Sequence, residues 1–345
     1  MLRFALISVF IFFSIALFGQ MRYLDSLSRA QYVERFPDYF FIWPVVRQRA
    51  SSFVLQSASN SNDQLTFSPN IRYHAGLGFY LFEIGFQFIV AIPPSQSSIN
   101  EYGKSNSLDL QANLIGKNWL TELYTENYRG YYIEDSNKPI PSGLPKFQRR
   151  DIETSTIGVT GMYFFNKRRY SVRSSFNFYE RQLRSAGSIS IQSNYNRFKL
   201  KADSLIYNLS QYPSFGGEGN FNQMSYDIIS LAPGYGYNYV FCKNFFLSTS
   251  VNVGPSFQFF NYEIGAKGNT VVEVRPYLNW RVGVGFNSER FFAGASYSYQ
   301  TLEVDYENIR FTSRNGTFRF VFGYRFREVG VLRKRASEMI KPKGR

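Results

Sequence analysis

His74 is the single histidine of the chain and the first residue whose type could support catalysis. It lies in the segment TFSPNIRYHAGLGFY, four residues after Asn70 and six residues after Ser68. A nucleophilic serine, a histidine base and an orienting asparagine would suit a phospholipase or an acyltransferase. Because a strand rises about 3.3 Å per residue, these positions on one strand are too far apart for direct contact with His74. Catalysis therefore needs partners from neighbouring strands, and the alternative is a hydrogen-bonded histidine that faces the lumen.

Metal and cofactor binding are not predicted. The histidine and the single cysteine, Cys242, lie far apart in the chain and form no ligand cluster. Glu134 and Asp135 are adjacent acids whose spacing matches no established calcium loop. Because one cysteine cannot form an internal disulfide, an exported chain of this length must be held together without bridges, and a closed hydrogen-bonded barrel would do so.

The elements that would position these residues are strands. In the stretch NGTFRFVFGYRF, residues 315–326, an aromatic side chain occupies every second position from Phe318 to Phe326. Successive side chains of a strand point to opposite faces, so one face is apolar and the other is polar or small. The apolar face either packs against a second sheet in a soluble sandwich or faces lipid in a membrane barrel.

The lengths of the connections favour the barrel. Tight turns are predicted at residues 80–81, 116–118, 166–169, 242–244 and 287–290. Longer polar stretches alternate with these turns, at residues 57–64, 93–105, 134–151, 185–224, 263–270 and 305–308. Short turns at one rim and long loops at the other are typical of outer-membrane barrels, whereas soluble sandwiches have no reason to segregate loop lengths.

We therefore predict an all-β fold, a transmembrane antiparallel up-and-down β-barrel of about 12 strands, within a range of about 10–14. Short periplasmic turns and long extracellular loops connect the strands. The predicted strands span residues 40–56, 65–79, 82–92, 106–116, 119–133, 152–165, 170–184, 225–241, 245–262, 271–287, 290–304 and 309–327.

The first 20 residues, MLRFALISVFIFFSIALFGQ, indicate export. The apolar or small run from Phe4 to Phe18 is shorter than the roughly 20 residues of a spanning helix and is typical of a cleavable signal peptide. The predicted organisation is a signal peptide at 1–19, a periplasmic segment at 20–39, the barrel at 40–327 and a basic periplasmic tail at 328–345. The predicted location is the outer membrane of a Gram-negative cell.

Charged side chains that should face the lumen form the second candidate site. By strand parity they are Arg72, Glu83, Asp109, Arg173, Arg281, Arg319 and Arg325. One interpretation is an arginine–carboxylate network that stiffens a largely closed barrel, since buried charges need partners or water. The other is an arginine excess that attracts a small anionic solute. The net charge of +14 suits anionic headgroups of outer-membrane lipids and lipopolysaccharide, and an exported chain gives no reason to predict nucleic acid as a partner.

Three motifs carry a family resemblance: YVERFPDYFFIWPVV, LTFSPNIRYHAGLGFYLFEIGFQF and the closing FGYRF. On these motifs the mature chain resembles an uncharacterised family of outer-membrane barrels from Bacteroidetes-type bacteria, the domain of unknown function 4421. The resemblance implies a barrel in the outer membrane and no particular activity. The closing strand also resembles the terminal strand that the barrel assembly machinery recognises, although residues 327–345 follow Phe326 here.

Three functions remain open on the sequence alone. The first is a narrow conduit or binding site for a small anionic solute. The second is a non-conducting structural or partner-binding barrel that uses the 185–224 stretch or the basic tail, and the third is a lipid-modifying enzyme centred on His74. The 185–224 stretch is a mobile loop, a set of strands above the membrane or a plug folded inward, and this choice decides whether a pore exists.

Overall fold

The computed structural model describes residues 29–71, 73–81, 84–217, 219–264 and 267–328. The predicted signal peptide and nearly all of the predicted basic tail lie outside these residues, as do Arg72 and Glu83. Within the described part of the chain, no helix has both the length and the apolar composition needed to cross a membrane.

Strands make up most of the fold. In chain order they are β1 (Val33–Arg35), β2 (Tyr39–Ser57), β3 (Gln64–Ser68), β4 (Tyr73–Leu81), β5 (Ile84–Ala91), β6 (Asn106–Ile115), β7 (Trp119–Asp135), β8 (Phe147–Phe164), β9 (Glu180–Gln182), β10 (Ala186–Lys201), β11 (Gln223–Phe241), β12 (Phe245–Ile264), β13 (Lys267–Asn287), β14 (Phe291–Tyr306) and β15 (Ile309–Arg327). Short helical elements lie between some of them: α1 (Gln96–Tyr102), α2 (Val172–Ser175) and a 3₁₀ turn (Pro213–Phe215).

Ten of the described strands close into an antiparallel barrel, in the order β2, β3, β7, β8, β10, β11, β12, β13, β14 and β15. The ring closes because β15 pairs with β2, from Ile309 opposite Ser57 to Arg327 opposite Tyr39. We call the end at Tyr39 and Arg327 the lower end, and the opposite end the upper end. Closure pairs the backbone groups of the first and last strands of the wall, as a membrane-spanning sheet requires.

The wall alternates between lipid-facing and lumen-facing residues, as the sequence predicted for the closing strand. Phe318, Phe320 and Phe322 are 44%, 49% and 49% exposed, whereas the intervening Val321 is only 4% exposed. The alternation gives β15 an apolar outer face and an inner face that packs within the barrel. The predicted transmembrane antiparallel barrel is confirmed.

Three further strands widen the lower half of the wall. β2 pairs with β3 through residues 53–56 and with β4 through residues 41–48. β4 pairs in turn with β5, and β6 pairs with β7. In the lower half of the wall, β4, β5 and β6 take the place of β3. The described strands therefore number ten in the upper half of the wall and twelve in the lower half.

The predicted spanning strand at residues 170–184 is wrong. Residues 165–185, which we call the plug, contain α2 and β9 and fold into the lower end of the lumen. Tyr170, Val172 and Phe178 are each at most 4% exposed. The segment alternates polar and apolar residues as a wall strand does, and alternation does not distinguish burial inside the lumen from contact with lipid.

The predicted long loop at 185–224 is wrong in its first part, because residues 186–201 form the wall strand β10. The connection that remains, residues 202–222, is the upper cap. It contributes Ile206, Phe215 and Phe221 to the barrel interior, where each is fully buried. Elsewhere the hairpin ladders of β12–β13 and β14–β15 extend into the stretches predicted as long loops at 263–270 and 305–308.

An apolar cluster beneath the upper cap fills the upper half of the lumen. Phe53 stacks on Phe67 with ring centroids 4.5 Å apart, and the ring of Phe311 lies 5.7 Å from that of Phe53. The Tyr212 hydroxyl donates a hydrogen bond to Oδ2 of Asp135 over 3.0 Å. Burial and this carboxylate raise the pKa of Tyr212 to about 12, so the phenol stays protonated at neutral pH. The upper end is therefore closed by packed side chains.

A buried guanidinium group attaches the plug to the wall at the lower end. Arg325 is 0% exposed and donates to the backbone oxygen of Phe178 over 2.6 Å and to Oδ1 of Asn287 over 2.7 Å. Its guanidinium carbon also lies 4.0 Å from the ring centroid of Phe36. Hydrogen bonds and aromatic faces together compensate for the loss of water around this cation.

The N-terminal segment packs on the plug. β1 pairs with β9, and Arg29 donates to Oε2 of Glu180 over 2.6 Å. The Ser171 hydroxyl donates to the same carboxylate oxygen over 2.5 Å. Glu180 is 1% exposed, so these donors stabilise a charge that has lost its water.

Glycines on the inner face make room for bulky aromatic groups at the lower end. A Cβ at Gly78 would lie 1.9 Å from the indole ring of Trp43. A Cβ at Gly85 would lie 1.8 Å from the hydroxyl oxygen of Tyr179, which belongs to the plug. The close approach of plug and wall thus depends on residues that have no side chain.

Cys242 tests the orientation of the barrel, because it is the single cysteine and is exposed in the turn between β11 and β12 at the lower end. We expect a maleimide–polyethylene glycol too large for porins to leave Cys242 unlabelled in intact cells and to label it after the outer membrane is permeabilised. The control variant has Cys242 replaced by serine and carries a new cysteine in the upper cap, Ser210→Cys. It should be labelled in intact cells. The reverse pattern would contradict a periplasmic lower end.

Candidate functional site

A polar cavity of about 80 Å³ lies in the lumen directly above the plug. Plug residues Phe176 and Asn177 form part of its lining, and the remaining side chains come from seven strands of the wall. These wall residues are Arg47, Gln87, Ile89, Gln111, Asn113, Leu120, Glu122, Arg281, Ser296, Ser298, Thr317 and Arg319. Two of the arginines predicted to face the lumen, Arg281 and Arg319, therefore line one cavity.

Arg281 and Glu122 form a bidentate ion pair across the barrel. The two terminal nitrogens of Arg281 donate to Oε1 and Oε2 of Glu122 over 2.8 Å and 2.6 Å. The Nε of Arg281 donates to Oδ1 of Asn279 over 3.2 Å. This fork geometry is the strong form of an arginine–carboxylate contact, and it commits the Arg281 guanidinium to protein partners.

Arg319 differs from Arg281 because no described carboxylate forms an ion pair with it. One of its terminal nitrogens donates to the backbone oxygen of Phe176 in the plug. Thr317, Ser296 and Ser298 line the cavity on the same two strands, where Ser296 lies opposite Arg319. Since the Glu122 charge is matched by Arg281, Arg319 leaves this wall of the cavity with a positive surplus.

A second ion network lies next to the cavity. Arg47 and Arg49 both donate to Oδ2 of Asp109, over 2.5 Å and 2.9 Å, and Arg49 also donates to Glu126. Arg47 further donates to Oε1 of Gln111 over 3.2 Å. The two guanidinium groups and the two carboxylates balance in charge. Buried charges need such partners, so the network can be kept inside the barrel.

The structure brings together only part of the predicted charge cluster. Asp109, Arg281 and Arg319 lie at or beside the cavity. The expected wall position of Arg173 is wrong, because it lies on α2 in the plug, where it donates to the Tyr80 hydroxyl over 2.7 Å. Arg325 faces inward at the lower end and holds the plug. Arg72 and Glu83 lie outside the described residues.

Several charged residues of the site escaped the sequence reasoning. Glu122 and Glu126 alternate with outward residues in the segment WLTELYTENY, so strand parity was a usable signal for them. Arg47 and Arg49 lie within the predicted strand 40–56, so parity was a usable signal for them as well. Which arginine pairs with which carboxylate depends on contacts across the barrel, and no sequence spacing encodes those.

His74 is 1% exposed, and neither ring nitrogen has a hydrogen-bond partner among the described residues. Ser68 belongs to β3 and not to the strand of His74. The Asn70 amide nitrogen donates to the backbone oxygens of Ser98 and Gly103, over 3.1 Å and 2.8 Å. The described residues therefore assemble no catalytic triad around His74, and they contain no cluster of three or more possible metal ligands.

The Glu122–Arg281 pair provides a stability test. Because Glu122→Gln leaves a buried guanidinium without its counter-charge, we expect it to lower the free energy of unfolding by about 3 kcal/mol, measured by denaturant titration in detergent. Adding Arg281→Gln should recover part of the loss, since the uncompensated charge is then gone. Glu303→Gln on an exposed position of β14 is the control and should change stability little. Equal effects of Glu122→Gln and Glu303→Gln would contradict a buried pair.

The chain is similar in fold to several solved barrels. The outer membrane protease OmpT from Escherichia coli matches with a TM-score of 0.37 at 9% identity, over 84% of this chain and 97% of that chain. The beta domain of the Bordetella autotransporter BrkA matches with a TM-score of 0.36 at 13% identity, over 84% and 100%. The translocator domain of the autotransporter NalP from Neisseria meningitidis matches with a TM-score of 0.33 at 10% identity, over 84% and 88%.

No curated protein sequence matches this chain. A family profile does match, over residues 24–326, and its description is Domain of unknown function (DUF4421). The match spans most of the chain and includes all three motifs on which the resemblance was based. This protein is therefore a member of the DUF4421 family.

Proposed function

We propose that this protein is an outer-membrane barrel that binds a small anionic solute in its lumen cavity and provides no steady conducting path. The observation that carries the proposal is Arg319, a cation that faces the cavity and has no described carboxylate partner. A fixed guanidinium with hydroxyl groups beside it is a suitable site for an anion.

The closed ends of the lumen argue against a permanent conduit. The apolar cluster and the upper cap fill the upper half, and the plug fills the lower end. Plug displacement would break the hydrogen bonds that Arg325, Asn287 and Arg319 of the wall donate to the backbone oxygens of Phe178, Glu180 and Phe176 in the plug. A conduit therefore requires a gating event that removes several buried hydrogen bonds at once.

The cavity sets the size and charge of the solute. A cavity needs about 10–15 Å³ of volume to hold one water molecule. The cavity of about 80 Å³ therefore holds several waters or one compact group such as a carboxylate or a phosphate. The amides of Asn113 and Asn177 supply further donors. One surplus guanidinium favours a single anionic group over a multiply charged solute.

The lipid-facing wall supports the membrane part of the proposal. Exposed apolar side chains such as Ile189, Leu247, Val284 and Phe320 cover the outer surface of different strands. Exposed basic residues near the upper rim, among them Lys199 and Lys201, would contact anionic headgroups of outer-membrane lipids or lipopolysaccharide. Insertion by the barrel assembly machinery belongs to the same proposal.

A second candidate is a non-conducting structural or partner-binding barrel without a solute. The observation that favours it is the apolar cluster of the upper half, which resembles the core of a soluble protein and makes the barrel rigid. The two candidates share a closed barrel and differ in whether Arg319 has a ligand.

Conductance in planar bilayers tests the closed barrel. We expect no steady current from purified protein whose folding has been verified by heat-dependent gel mobility, because both ends of the lumen are filled. Replacing plug residues 171–179 with a short glycine linker should not by itself introduce steady conductance, because the apolar cluster still fills the upper half of the lumen. Steady current through the intact protein would contradict the proposal.

Titration with inorganic phosphate, followed by calorimetry in neutral detergent, tests the anion site. Arg319→Gln should weaken binding about tenfold to a hundredfold, since a charge-assisted hydrogen bond contributes about 1.5–3 kcal/mol. Arg314→Gln is the matched control, because Arg314 lies on the same strand and is exposed. Unchanged affinity in Arg319→Gln, or no binding by the intact protein, would refute the anion site.

A further inference from the structure

The barrel wall has a seam between β5 and β6 in its lower half. The two strands neighbour each other, yet among the described residues β5 forms a ladder only with β4 and β6 only with β7. Elsewhere in the wall each strand pairs on both sides over part of its length. Unpaired backbone groups are costly in hydrocarbon, so an edge of this kind needs water, a headgroup or a bound ligand as its partner.

The seam lies directly beside the cavity. Gln87 and Ile89 of β5 and Gln111 and Asn113 of β6 all line it. Gln111 is exposed even though it accepts a hydrogen bond from the buried Arg47. Gln111 therefore connects the interior ion network to solvent-accessible space at the seam.

The outer edges of the seam are strongly apolar. Phe88 and Val90 on β5 are 69% and 70% exposed, and Leu110 on β6 is 56% exposed. Lipid-facing residues of this kind contact acyl chains. Within a few residues, the wall changes from an apolar outer surface to a cavity that contains Arg319.

We propose that the ligand of the cavity is a membrane amphiphile, with one alkyl chain and an anionic headgroup, that reaches Arg319 laterally through the β5–β6 seam. This inference rests on the proposed anion site and adds the ligand class and the route. The headgroup occupies the cavity and the alkyl chain lies across Phe88 and Val90 in the bilayer. Lateral access also accounts for a cavity that is closed above by the apolar cluster and below by the plug.

Binding of dodecyl phosphate by the purified protein in neutral detergent is the first test. We expect dodecyl phosphate to bind more tightly than inorganic phosphate, and Arg319→Gln to weaken both by at least tenfold. Dodecyl maltoside, which has the same chain and no charge, should not compete. If inorganic phosphate binds through Arg319 and dodecyl phosphate does not, the anion site stands and the amphiphile is refuted.

Closing the seam is the second test, made in a Cys242→Ser background. Phe88→Cys and Ala112→Cys place thiols on β5 and β6, each between two cavity-lining residues of its strand, and a bifunctional thiosulfonate reagent is chosen that is long enough to join them. We expect the cross-link to abolish dodecyl phosphate binding and a thiol reductant to restore it.

The matched control joins β14 to β15 through Ala293→Cys and Phe322→Cys, which are direct partners on an intact ladder. Its cross-link should leave dodecyl phosphate binding unchanged, because no access route is closed there. If the β5–β6 cross-link forms and binding persists, lateral access is refuted. If both cross-links abolish binding equally, the effect is a general loss of barrel motion, and the seam is refuted as the route.

Discussion

The pairing of β2 with β15 is the constraint on which the rest of the structure depends. It joins the first and last wall strands and converts an open sheet into a ring. Backbone groups in hydrocarbon must bond within the protein, and this closure pairs the two strands that would otherwise be the edges of the sheet. Closure also creates an interior of fixed width, and every side chain that points inward must then be packed, paired or hydrated.

The chain meets this requirement differently at each level of the lumen. Apolar side chains fill the upper half, an arginine–carboxylate network occupies the middle and the plug fills the lower end. Arg325 shows how a cation can be buried without a carboxylate, since carbonyl oxygens, an amide oxygen and aromatic rings surround it. Arg319 also donates to a backbone carbonyl oxygen, but unlike Arg325 it lines the cavity. This position in the cavity makes Arg319 the functional candidate.

The asymmetry of the wall begins where β3 ends and β4 begins. Asn70 lies in this break and uses its side chain to bond Ser98 in α1 and the backbone of Gly103. The helix that it holds connects β5 to β6, the two strands on either side of the seam. The SPN motif of residues 68–70 thus positions the connection above the seam, which gives this part of the family resemblance a structural reason.

The sequence by itself determined the barrel, because the alternation of apolar and polar residues is a local property that can be recognised in each strand separately. It placed Phe318, Phe320 and Phe322 on the lipid face and Arg281 and Arg319 in the lumen from parity alone. It failed at residues 170–184, because alternation is the same for a strand in lipid and for a plug inside the barrel. Only the tertiary structure decided that Arg281 pairs with Glu122, that Arg319 has no carboxylate partner among the described residues and that β5 and β6 form no ladder there. These outcomes depend on which side chains meet across the lumen, between residues far apart in the chain, and no local pattern specifies such contacts.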